Sequence, residues 1–99
     1  MPCRRNRIHE KVIRVTYAER NVNAYALVIV RYKRKFLREE VLSIDIHYHL
    51  EECPPEIRNQ VFTYLSTEVN KQLNRMYGKR KIKIEPHIHI HIPTTPTLT

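Results

Sequence analysis

Five of the six histidines lie in two segments in which polar and apolar residues alternate, VLSIDIHYHL (41–50) and KIKIEPHIHIHIP (81–93). Side chains two residues apart on a strand point to the same face, about 6.8 Å apart along the chain. Two imidazoles at that spacing can converge on one ion such as Zn²⁺. Aspartate or glutamate could supply an oxygen ligand, which would make a metal-dependent nuclease conceivable. The candidate ligands are His47, His49, His87, His89 and His91, with Asp45 or Glu85 as the oxygen donor.

The same histidines allow two hypotheses without a metal, because no cysteine joins the pattern. One is a hydrogen-bonded histidine ladder at a solvent-facing surface or a dimer seam. The other is a pH switch: below a pKa of about 6.5 the six histidines would charge and raise the formal net charge from +8 to about +14. The sequence contains neither a nucleophile motif nor a glycine-rich phosphate loop, which favours a protein without catalytic activity and leaves the metal-dependent nuclease as the one enzymatic alternative.

Basic residues dominate the charge of the chain, which has a net charge of +8 and a pI near 9.8. That balance favours an anionic partner, DNA or RNA before anionic lipid. No helix-turn-helix, zinc-finger or RNA-binding signature is present, so such binding should be electrostatic and independent of sequence. The alternative is that these residues only keep loops and termini soluble. The candidate phosphate-binding residues are Arg4, Arg5, Arg7, Lys33, Arg34, Lys35, Lys79, Arg80, Lys81 and Lys83.

Apolar periodicity predicts the elements that would position these residues. A two-residue period predicts strands at 8–17, 24–32, 41–50 and 81–93. A four-residue period predicts one helix of about 23 residues, which starts at the Pro54-Pro55 pair and ends at Gly78. Residues 33–40 are a charged connector, either a hairpin end or a turn of helix. The predicted fold is α+β, with a sheet of about four strands, one long helix on one face, and the order β-β-β-α-β.

The helix stripe that runs from Ile57 to Tyr77 should pack on the apolar faces of the third and last strands and leave the imidazoles on the opposite face. Tyr48, Tyr64 and Tyr77 lie at apolar positions and should belong to the core. The second strand is apolar on both faces, which one helix cannot cover. We therefore expect a homodimer, in which a second copy covers the other face or pairs with a free sheet edge.

The length of 99 residues predicts a single domain, 1–99, with a basic N-terminal arm at 1–7 and a flexible C-terminal tail at 93–99. No apolar run approaches the ~20 residues of a membrane span, so we expect no membrane partner. Cys3 and Cys53 form no CxxC pair, which favours buried or free thiols, with a disulfide as the alternative.

The segments VLSIDIHYHLEECPPEIRNQVFTYL and KIKIEPHIHIHIP, together with the chain length, resemble a family of small proteins shared by filamentous and rod-shaped viruses of archaea, the lipothrixviruses and rudiviruses. The resemblance implies a viral protein that is stable to heat and acid and that meets a double-stranded DNA genome. It implies no site residues. On this basis we expect a viral accessory protein in the host cytoplasm or associated with the virion. A protein-interaction module of virion assembly is the alternative to nucleic-acid binding.

Overall fold

Four strands and one helix form the part of the chain that the computed structural model describes, residues 7–19, 22–36, 38–78 and 84–93. The strands are β1 (Ile8–Glu19), β2 (Val22–Lys35), β3 (Arg38–Glu52) and β4 (His87–His91). They form one sheet in the order β1-β2-β3-β4, in which only the β3–β4 pair is parallel. A 3₁₀ turn, Pro55–Ile57, leads into the helix α1 (Arg58–Tyr77). The predicted α+β fold and its β-β-β-α-β order are confirmed.

The first three strands are longer than periodicity predicted. The loop expected at 18–23 is short, because β1 extends to Glu19 and β2 begins at Val22. Of the two predictions for residues 33–40, the hairpin end is confirmed: β2 runs to Lys35 and β3 begins at Arg38. Opposite charges across the ladder stabilise these polar strand ends, as in the Lys35–Glu40 ion pair at 2.7 Å.

The core lies between α1 and the helix-facing side of β2 and β3. Burial follows the predicted four-residue spacing on the helix, at Val61, Leu65, Val69 and Leu73. Every second residue of β2 from Val22 to Tyr32 is buried on the same side. Three residues of β1 pack against this core from its edge, namely Ile13, Val15 and Tyr17. Each fully buried aliphatic side chain contributes about 1.5–3 kcal/mol of transfer free energy.

Proline and glycine mark both ends of the helical segment, as predicted. Pro55 occupies the first position of the 3₁₀ turn, where a missing N–H leaves no hydrogen bond unmade. Gly78 follows the helix with φ of 65°, and its N–H donates to the carbonyl oxygen of Asn74 at 2.7 Å. A positive φ costs glycine little, so the helix ends where the sequence indicates. No helix within the described ranges is long and apolar enough to cross a membrane.

The predicted packing of the last strand under the helix is wrong. α1 contacts β1, β2 and β3 but not β4. Ile88, Ile90 and Ile92 remain 55%, 52% and 50% exposed. The reason is width: a helix is about 10 Å across, and strands lie about 4.8 Å apart. A helix that contacts the first three strands therefore does not reach the fourth. β4 also begins later than predicted, since Glu85 and Pro86 lie before it and outside the strand.

Two side chains at apolar positions of the predicted pattern, Leu42 and Tyr64, lie outside the core. Leu42 does not continue the buried row of β3, because a register shift between Arg31 and Tyr32 leaves it unpaired. Val41 packs against the core in its stead. Tyr64 is 45% exposed and meets the Tyr17 ring edge-on at 5.2 Å between centroids. Tyr48 is buried and Tyr77 is partly buried against the core, as predicted.

Cys53 is a buried free thiol, and its burial raises the pKa of the thiol. Cys3 lies outside the described residues.

Candidate nucleic-acid interface and histidine array

The β3–β4 register decides where the histidines meet. Ile46 pairs with Ile88, and Ile46 is buried under the helix. Side chains of paired residues lie on the same face, so the partly exposed isoleucines lie on the helix side of the sheet. The pairs His47–His89 and His49–His91 therefore lie on the opposite face, which we call the open face. The predicted sidedness of the imidazoles is confirmed.

Four of these imidazoles, from His47, His49, His89 and His91, stack into what we call the histidine array. The rings of His47 and His89 are 4.3 Å apart with 9° between their planes. Those of His49 and His91 are also 4.3 Å apart, with 4° between planes. The row continues across the sheet, because Tyr25 of β2 stacks on His49 at 4.6 Å and the Arg14 guanidinium lies 4.4 Å from the Tyr25 ring centre.

The array is also hydrogen-bonded. Nδ1 of His47 and Nε2 of His91 are 3.0 Å apart, so one ring donates a proton and the other accepts it. Nε2 of His89 lies 3.3 Å from an Asp45 carboxylate oxygen. Burial lowers the pKa of His47, and the neighbouring His89 and His91 lower it further. A neutral His47 thus suits this packing, since charging both His47 and His91 would oppose two N–H groups across 3.0 Å.

The five predicted metal ligands do not converge. A metal ion binds in the plane of an imidazole, along the nitrogen lone pair, and the parallel rings of the pairs His47–His89 and His49–His91 do not share such a point. The nitrogens of His47 and His91 meet at 3.0 Å, which brings two ligands together and not a complete set. Across the described residues no group of three or more histidine, cysteine, aspartate or glutamate residues is placed to hold an ion. His87, which pairs with Asp45 on β3, is exposed, and Glu85 lies outside the strand. The arrangement favours hydrogen bonding and stacking over chelation.

Positive charge collects at the other end of the sheet, in what we call the basic end: Arg7, Lys33, Arg34 and Arg38. The register brings them together, because Ile8 pairs with Lys33 and Lys35 pairs with Arg38. Eight residues of β2 separate Lys35 from Leu27, the partner of His47, which is roughly 26 Å at 3.3 Å per residue. The basic end and the histidine array are therefore separate sites on a molecule 61 Å long.

The carboxylates near the basic end already have partners. Glu39 binds Nζ of Lys11 at 3.0 Å, and Glu40 binds Nζ of Lys35. The Lys35 ammonium, with Lys33 and Arg38 beside it, lowers the pKa of the Glu40 carboxyl. Within the described residues, no ion pair involves Lys33, Arg34 or Arg38. These cations therefore remain available to an external anion.

Only four of the ten predicted phosphate-binding residues are described. Lys33, Arg34 and Lys35 lie on the β2–β3 hairpin and Arg7 is exposed just before β1. The other six lie outside the described residues: Arg4, Arg5, Lys79, Arg80, Lys81 and Lys83.

Sequence reasoning missed Phe36 at the tip of the hairpin. Its side chain is fully exposed, at 106% of the reference value, and its backbone has φ of 54°. The available signal was a bulky apolar residue between cations at a position where hairpins usually place glycine or asparagine. Phe36, Arg34 and Arg38 line one shallow depression of about 290 Å³ with Glu39.

No protein-family model, curated protein sequence or solved structure matches the chain. The resemblance to the viral family therefore stays a prediction.

Proposed function

We propose that the protein binds nucleic acid through phosphate contacts at the basic end, as a homodimer. The observation that carries this proposal is the pairing pattern: every described carboxylate near the hairpin tip has its own lysine, and Lys33, Arg34 and Arg38 are left over. Cations of this kind release counterions when they bind phosphates, which gives salt-sensitive affinity without base readout.

The histidine array does not compete for this role near neutral pH. Its ring faces stack on one another and on Tyr25, so few of them remain for bases. The face of His9 is likewise occupied, by Tyr32 at 5.5 Å. Phosphate contacts at the hairpin therefore carry the proposed affinity.

Titration with a fluorescent oligonucleotide between ~50 and ~200 mM salt tests the proposal. The wild type should bind more weakly as salt rises. Arg34→Gln with Arg38→Gln should reduce the slope of log affinity against log salt by about 1.4–1.8, because each lost phosphate contact removes about 0.7–0.9. Arg75→Gln is the matched control, since Arg75 is an exposed arginine on the helix. Failure of the wild type to bind at ~50 mM salt would remove nucleic acid as the partner.

The homodimer is supported by two apolar surfaces that the described part of the chain leaves uncovered. One is the isoleucine stripe of β4, Ile88, Ile90 and Ile92, which borders the free edge of the sheet. The other is the open face near Val12, which is 58% exposed beside the half-buried Leu27 and Ile29. Pairing of two β4 edges about a twofold axis would place two isoleucine stripes side by side between two helices.

A second candidate function is a module that binds other proteins during assembly. The uncovered isoleucine stripe favours it, because an apolar row beside an open edge can accept a strand from another protein. A pull-down that recovers nucleic acid and no protein other than the chain itself would count against this candidate.

A further inference from the structure

We infer that Phe36 stacks on an unpaired base of single-stranded nucleic acid while Arg34 and Arg38 bind the flanking phosphates. The inference rests on the proposed function and names the residue and the form of nucleic acid that the basic end recognises. The exposed Phe36 side chain has no role in the core of the fold.

Phe36 contributes nothing visible to folding. Its ring is fully exposed and therefore buries no apolar surface. Its backbone lies in the left-handed region, which disfavours residues that carry a Cβ. Glycine or asparagine would make the same turn with less strain and without an aromatic ring in water. A strained, exposed aromatic residue at a loop tip is a reason to look for a ligand.

The positively charged neighbours of Phe36 favour an anionic ligand. Arg34 on β2 and Arg38 on β3 line one depression with the ring, so cations lie on both strands of the hairpin. Glu39 also lines it, and Lys11 neutralises that carboxylate at 3.0 Å. Lys33 directly precedes Arg34 on β2 and, with Arg38, lowers the pKa of the Glu40 carboxyl, so it adds positive potential at this end of the sheet. A flat apolar face between cations matches a planar base between phosphates, which is how single-strand binding proteins hold a chain.

The energetics favour unpaired bases over a duplex. Stacking of one base on an aromatic side chain strengthens binding by roughly 5- to 150-fold. Opening a base step of a duplex costs a similar free energy or more. One ring on a narrow hairpin therefore gains little from a closed duplex, whereas in a single strand the bases stack on it at small cost.

The chain contains no tryptophan, so Phe36→Trp places the only indole at the proposed contact. We expect this variant to bind a single-stranded oligonucleotide as well as the wild type and to lose fluorescence on binding. Phe36→Ala should bind about 10-fold more weakly with an unchanged salt slope, because the phosphate contacts remain. Phe36→Leu should lose most of the same affinity. Tyr64→Ala, which removes an exposed aromatic ring on the helix, should bind like the wild type.

Separate results would overturn the inference and the proposed function. If the wild type binds with a salt-dependent affinity but Phe36→Ala binds equally well, only the stacking inference fails. Equal losses for Phe36→Ala on single strands and on a duplex of the same length would overturn the choice of unpaired bases. A tryptophan signal from Phe36→Trp with anionic phospholipid vesicles and none with oligonucleotide would reassign the hairpin tip to lipid. Absence of any wild-type binding at ~50 mM salt would remove the proposed function itself.

Discussion

Ile90→Lys should dissociate the homodimer that we propose to form through β4. Ile90 is 52% exposed on the helix side of the edge strand, outside the reach of α1. Complete burial of an isoleucine is worth about 1.5–3 kcal/mol, so about half of that value remains available at each of Ile88, Ile90 and Ile92. The stripe then offers about 2–4 kcal/mol per protomer, and twice that amount in a symmetric dimer.

That gain only just offsets the cost of association, which is about 4–15 kcal/mol before the edge-to-edge hydrogen bonds add their net ~0.5–1.5 kcal/mol each. We therefore expect a weak dimer, with a dissociation constant between micromolar and millimolar, about −8 to −4 kcal/mol. The lysine variant removes about 1.5–3 kcal/mol from the two copies together, which weakens the dimer by roughly 10- to 150-fold. Repulsion between the two ammonium groups adds to this loss.

Sedimentation velocity from the micromolar to the millimolar range measures the effect. Ile8→Lys is the matched control, because Ile8 is 57% exposed at the start of the other edge strand, outside both uncovered surfaces. The wild type and this control should show a concentration-dependent dimer, while Ile90→Lys should sediment as a monomer with an unchanged circular dichroism spectrum. A wild type that stays monomeric, or a lysine variant that dimerises like the wild type, would refute the role of the stripe.

Three further predictions concern the stability of the fold. The unfolded chain takes up a proton at His47 near pH 6.5, but burial and the neighbouring imidazoles lower the pKa of folded His47. The free energy of unfolding should therefore be at its full value above about pH 6.5 and decrease as the pH drops through that lower pKa. Urea titrations at successive pH values should show a smaller decrease for His47→Gln than for the wild type. An identical pH dependence of the two proteins would contradict the assignment to His47. Phe36→Asn should raise the free energy of unfolding by about 1 kcal/mol and the melting temperature by several degrees, because asparagine tolerates a positive φ. A lower melting temperature would show that the Phe36 ring stabilises the fold. Tyr77→Phe should leave the free energy of unfolding in urea unchanged or raise it by up to ~1 kcal/mol, because the buried Tyr77 hydroxyl has no hydrogen-bond partner within the described residues. A decrease of more than ~1 kcal/mol would mean that the hydroxyl does form a hydrogen bond.

Periodicity was enough to predict the elements that bury one regular face. On the helix, Val61 and Leu65 follow a four-residue spacing that survives folding unchanged, and Gly78 ends it. On β3, Ile44, Ile46 and Tyr48 fall on the side that the helix covers. These positions are determined by the geometry of one helix or strand and by which of its faces is buried, and both can be read from the spacing of apolar residues in a single sequence.

The width of sheet that the helix covers, the register of the strands and the partner of each charged side chain depend on the neighbours of each element. Periodicity within one segment does not determine them. The alternation of Ile88 and Ile90 predicts a strand correctly, but not that the helix stops one strand short of it. The histidine stack depends on register, since a shift of one residue in β4 would place His89 on the helix side. The charged residues from Lys33 to Arg38 look like a loop until cross-strand pairs such as Lys35–Glu40 extend the ladder.

The most direct test of the proposed binding surface is a map of backbone amide chemical shifts during titration with a single-stranded oligonucleotide at low salt. If the basic end binds nucleic acid, the largest changes should fall at Arg7, Lys33, Arg34 and Phe36, with little change at His47, His49 or β4 (His87–His91) at neutral pH. Changes centred on the histidine array, or no changes at an excess of oligonucleotide, would contradict the account.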